Sequence, residues 1–243
     1  MIVSQELAIT VGDKQMPAYV ARPGAAGTYP AVIVLEGIFG FDEELRRITD
    51  LLAGFGYVGL AINYFYRTHP QLAEPFTQEG RTRGEQAAAM VKKAEACADV
   101  SAARDWLNQQ PFVARHHIGT WGFGFGGTIA FVTATLAGIN AAVVFYGQSI
   151  TGLMPSNEPA PLEEVREIRA PLLLVFGGQD RLISTSDVEL MTDALDANDK
   201  KYEVQLYPNV GHSFFRETPD TFATREAADA WDRVQAFYRK YLR

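Results

Sequence analysis

The chain has one cysteine, Cys97, so no internal disulfide can staple it. No apolar run approaches the roughly 20 residues that a membrane-crossing helix needs. The N-terminal M-I-V-S-Q-E-L lacks the charged-then-apolar pattern of a secretory leader. Positive charge is scarce: 22 Lys and Arg stand against 29 Asp and Glu, a net charge of −7 without a basic patch. That balance argues against nucleic acid as a partner. Histidines number four, and the pair His116–His117 has no matching acidic or cysteine cluster that would complete a metal site. The expectation is a cytoplasmic protein with no metal, no membrane partner and no nucleic acid.

What is present is the ordinary apolar and charged content of a globular chain, arranged as alternating strands and helices. Strands are expected near 3–11, 16–22, 30–36, 57–63, 117–121, 141–146, 171–176 and 202–207. Helices are expected near 43–55, 84–109, 126–137, 184–197 and 221–242. The first two strands read as a hairpin around V-G-D-K. A-V-I-V-L and P-L-L-L-V-F are unbroken apolar runs, as in strands buried on both faces of a parallel sheet. This alternation implies an α/β fold, a mostly parallel sheet with helices on both faces, formed as one domain over 1–243. Two loop-rich stretches, 64–83 and 148–168, should overhang the carboxyl end of the sheet, where such folds bind ligands.

One turn stands out. The run H-I-G-T-W leads into G-F-G-F-G-G and then into T-I-A-F-V-T-A-T-L-A. A strand, a glycine turn of the form G-x-Nuc-x-G and a helix make a nucleophile elbow, but Gly124 occupies the nucleophile position. A tight packing turn explains the same glycines equally well. Two later segments favour the elbow. G-G-Q-D places Asp180 just after a buried strand, and P-N-V-G-H places His212 in the loop after the next. Position 124, then an acid, then a histidine is the order of an α/β-hydrolase, with His212 as base and Asp180 to hold its ring. Singly, Asp180 also reads as a helix cap and His212 as an exposed loop residue.

Together L-E-G-I-F-G (35–40), G-F-G-F-G-G (122–127), F-Y-G (145–147), G-G-Q-D (177–180) and G-H-S-F-F-R (211–216) make the chain similar to the dienelactone hydrolase family of α/β-hydrolases, over nearly its whole length. The resemblance implies an α/β-hydrolase fold and a cofactor-free Cys-His-Asp triad acting on small esters or lactones. It implies Asp180 and His212 as acid and base, and the amides of Ile38 and Phe125 as the oxyanion hole. Arg216 would hold a substrate carboxylate, with a second arginine at Arg83 or Arg81, and Tyr146 and Ser213 would line the pocket. Two departures stand against it. Gly124 replaces the family cysteine, and Glu36 lies one position early in E-G-I-F-G, where the family has E-x-F-G. A one-residue shift can turn a strand side chain to the opposite face, so Glu36 is a catalytic candidate only if it still reaches the site.

Neither Cys97, in a helix, nor Ser149 or Ser213 has an elbow to present it as a substitute nucleophile. Three functions stay open: a hydrolase deprived of a cysteine or serine at 124, a hydrolase in which His212 activates water, and a non-catalytic protein that binds small carboxylates. The partner in each case is a small ester, lactone or acid, bound by a monomer or small homo-oligomer.

Overall fold

The computed structural model describes residues 1–218 and 220–243. Eight strands form one sheet: β1 (Ile2–Val11), β2 (Lys14–Pro23), β3 (Tyr29–Leu35), β4 (Val58–Ile62), β5 (Val113–Phe123), β6 (Ala141–Phe145), β7 (Leu172–Gly177) and β8 (Tyr202–Tyr207). Their order across the sheet is β1-β2-β4-β3-β5-β6-β7-β8. The expected hairpin is the antiparallel pair β1–β2, and β2 meets β4 antiparallel as well. From β4 to β8 every neighbouring pair is parallel. All six of these strands therefore end on one edge, and the loops beyond Leu35, Phe123, Phe145, Gly177 and Tyr207 gather there. This is the α/β-hydrolase arrangement.

Among the described residues six α-helices accompany the sheet: α1 (Glu43–Gly54), α2 (Gln78–Ala88), α3 (Lys93–Gln109), α4 (Phe125–Thr133), α5 (Thr185–Ala197) and α6 (Thr224–Tyr241), with a 3₁₀ helix at Pro161–Glu167. Every residue of β4, β6 and β7 is buried. Successive strand side chains point to opposite faces, so full burial means that both faces are covered. The centre is aromatic: Trp121 stacks on Trp231 with ring centroids 5.4 Å apart, and Phe145 is wholly buried between Trp121 and Phe215. Cutting a core aromatic of this kind back to alanine costs about 3–5 kcal/mol. α1 shows why such segments become helices. Asp42 accepts a hydrogen bond from the Leu45 amide at 3.0 Å, Glu43 and Glu44 sit in the positive first turn, and Leu45, Ile48, Thr49 and Leu52 form the buried stripe.

One sequence expectation needs correction. The long helix placed at 84–109 is two helices, and the loop placed at 64–83 contains the start of the first. Thr77 caps α2 by accepting from the Gly80 amide at 3.1 Å. The break falls around Val91 and Lys92, where no glycine or proline interrupts the sequence. Tertiary contacts make it instead: Val91 is buried, Lys92 Nζ donates to the Ser156 carbonyl, and the Lys93 amide donates to Glu158. Packing has overridden local propensity.

Candidate active site

β5 runs through Phe123 into Gly124, and α4 begins at the next residue. Gly124 has φ 56° and ψ −119°, a conformation that costs a side-chain-bearing residue on the order of 1–3 kcal/mol and glycine little. The turn is clamped on both sides. A Cβ on Gly122 would collide with the Gly126 carbonyl, and one on Gly126 with the carbonyls of Leu35 and Glu36. Space opens only at the centre. A Cβ on Gly124 would meet, beyond its chain neighbours, a single heavy atom within 4 Å: Nε2 of His212 at 3.6 Å. Phe125 is the first residue of α4, where a backbone N–H has no intrahelical acceptor.

His212 is fixed from behind. Its Nδ1 lies 2.7 Å from Oδ2 of Asp180, whose side chain is inaccessible to solvent. The other oxygen, Oδ1, accepts from the Leu182 amide at 2.8 Å. With both carboxylate oxygens engaged, the ring can hardly turn, and Nε2 faces the space above Gly124. The Tyr146 ring packs 5.0 Å from that of His212, and burial pushes the Tyr146 hydroxyl far above its usual range, so it stays protonated. Tyr146 (φ 39°) and Ser213 (φ 62°) both adopt left-handed backbone, uncommon for residues with side chains.

These groups line one cleft. It brings together Glu36, Ile38, Gly124, Phe125, Tyr146, His212, Ser213 and Arg216, with Phe123, Leu182 and Phe215 as apolar lining. Glu36 therefore remains in the site despite its shifted place in E-G-I-F-G. It is 2% exposed, and neither carboxylate oxygen has a hydrogen-bond partner among the described residues. Burial, and secondarily the charge of Asp42, hold its carboxyl well above the usual carboxylate range. Tyr64, also buried, donates to the backbone carbonyl of Glu36 at 2.5 Å and steadies the strand end.

Of the two arginines expected near the site, Arg83 or Arg81, the structure places Arg81 and not Arg83 at the cleft. Both lie on α2, two residues apart, and such positions do not share a helix face. Arg81 lines the cleft, while Arg83 is half-exposed and paired to Glu74 at 2.6 Å. Arg216 lies in the wall with its guanidinium over the contacting rings of Phe39 and Phe76, 5.4 and 5.2 Å from the ring centroids, and it donates to Oδ2 of Asp42. Beside it Glu44 takes a two-pronged bond from Arg47, which also reaches Glu217 at 3.0 Å. The sequence reading passed over Asp42, although F-D-E-E carries the mark of a helix cap. Cys97 lies on α3 away from the cleft, its thiol pushed up to about 11 by burial, and Ser149 is outside the lining too. Among the described residues no group of three or more His, Cys, Asp and Glu could hold a metal, and no helix is long and apolar enough to cross a membrane.

Known proteins agree with this architecture. The family model of the dienelactone hydrolase family matches residues 16–242. A putative carboxymethylenebutenolidase of Synechocystis is 31% identical over 229 residues, covering 94% of this chain and 93% of its own. A protein of the same name in Escherichia coli K12 is 33% identical over 236 residues, covering 95% and 84%. Among solved structures, a dienelactone hydrolase, so named provisionally, from Klebsiella pneumoniae superposes with a TM-score of 0.91 at 29% identity, over 99% of this chain and all of its own. Fold, cleft and sequence likeness converge: the chain belongs to the dienelactone hydrolase family.

Proposed function

We propose that this protein hydrolyses small esters or lactones with a water molecule in place of a side-chain nucleophile. The observation that carries this reading is the open space above Gly124, faced by Nε2 of a histidine that Asp180 holds in one orientation. A water there gives a proton to Nε2 while its oxygen bonds to the substrate carbonyl carbon, and the carbonyl π electrons move onto oxygen. The amides of Ile38 and Phe125 face the developing negative charge, and Asp180 stabilises the imidazolium. The tetrahedral adduct then expels the alcohol oxygen, which takes the proton back from His212. Hydrolases stripped of their nucleophile keep about 10³–10⁴-fold acceleration over water from the oxyanion hole and binding.

Arg81 and Arg216 are the two arginines of the cleft lining, the positions at which the family resemblance expects contacts to the substrate. A second reading, capture of a small ligand without turnover, draws on the same Gly124. The test is hydrolysis of a small activated aryl ester by the natural chain, His212→Ala and Gly124→Cys. The water mechanism expects slow turnover that disappears in His212→Ala, and a faster reaction with an initial burst in Gly124→Cys. Equal rates in the natural chain and His212→Ala would refute it. A folded Gly124→Cys protein that is also inert would leave ligand capture as the function.

A further inference from the structure

Arg216 is in the cleft wall, yet its charge is already taken. Asp42 Oδ2 accepts from Nη2, while Oδ1 of the same carboxylate caps α1 through the Leu45 amide, so Asp42 cannot swing away without uncapping the helix. Phe39 and Phe76, in contact with each other, pack against the guanidinium. The two side chains are only 21% and 15% exposed, so water does little to screen either charge. A ligand carboxylate arriving at Arg216 would meet a guanidinium already neutralised and a second, fixed carboxylate beside it. Glu44, the next acidic group of the lining, is neutralised by Arg47. Arg216 gives one N–H to Asp42, and its guanidinium carries others, from which a neutral oxygen such as a hydroxyl, amide or carbonyl can accept without adding a charge.

We infer that Asp42 is a specificity-determining residue that turns the Arg216 end of the cleft against carboxylates and toward substrates carrying an uncharged polar group there. This deepens the hydrolase reading and rests on the cleft being its substrate site, but it concerns binding, so it is tested without turnover. The probes are benzoate and its neutral isostere benzamide, with dissociation constants measured by titration calorimetry or NMR. The natural chain is expected to bind benzamide more tightly. Asp42→Asn keeps a good helix cap, since Asn caps as well as Asp, and it should tighten benzoate binding by at least about tenfold, or ~1.4 kcal/mol. That gain should vanish in the double variant Asp42→Asn/Arg216→Gln, which separates Arg216 from Arg81.

The proposal is overturned if the natural chain prefers benzoate, if Asp42→Asn gains nothing for benzoate, or if the gain persists without Arg216. Ester inactivity together with the expected binding pattern would remove the hydrolase reading and leave this one standing. Turnover with an unchanged benzoate-to-benzamide ratio in Asp42→Asn would do the reverse.

Discussion

The two ends of the cleft differ in how their polar groups are satisfied. At the inner end, around Gly124, the Glu36 carboxyl is buried without a partner and His212 Nε2 faces open space. At the outer end, Asp42, Arg216, Glu44, Arg47 and Glu217 are all in ion pairs. A buried polar group without a partner is costly, and folded proteins retain few of them. On the hydrolase reading, the inner end receives the reacting group, while the ion-paired outer end shapes what can enter.

The inner end should be the more sensitive to change. In the Gly124→Cys background, Asp180→Asn should lower ester turnover toward the ~10⁴-fold that this change costs a serine protease, because the histidine is then held in the wrong tautomer. A loss below tenfold by steady-state kinetics would mean that the acid only shapes the loop.

Glu36→Gln sharpens the contrast through stability. Glu36 keeps its proton in the folded chain at pH values where the unfolded chain has lost it. The folded state then binds more protons, so the natural chain loses stability as pH rises above the ordinary 4.5 and until the raised folded value is passed. The loss is up to about 1.4 kcal/mol per pH unit for a single proton. Denaturant unfolding of both proteins from pH 4 to 9 should show this slope in the natural chain and its absence in Glu36→Gln. Parallel curves would place a partner for the carboxyl in solution.

The outer end should respond least. Glu44→Gln breaks a two-pronged pair with Arg47, but Arg47 is about a third exposed and keeps Glu217. Its cost should be no more than about 1 kcal/mol, read as a small fall in denaturation midpoint. A larger effect would show that the ion pairs act as one network.

The fold was largely legible in the sequence because the parallel strands carry continuous apolar runs with helical patterns between them. The order of Gly124, Asp180 and His212 gave the framework of the site, since each follows a strand that ends on the same sheet edge. The rest depended on contacts between distant segments. The break between α2 and α3 is made by residues near 156 and 158, more than 60 positions away. The choice of Arg81 over Arg83 required knowing that a helix begins at Gln78, a start announced only by Thr77. The role of Asp42 lies in a partner 174 residues away, which no local pattern contains.

The left-handed backbone at position 124 also bears on the history of the chain. Any relative with a side chain at this turn holds it against conformational strain, so mutation to glycine relaxes the backbone while it removes the reactive group. Glycine codons lie a single base from those of cysteine and serine. The step to glycine is thus short and mechanically downhill, and the return must be carried by selection on the reaction alone.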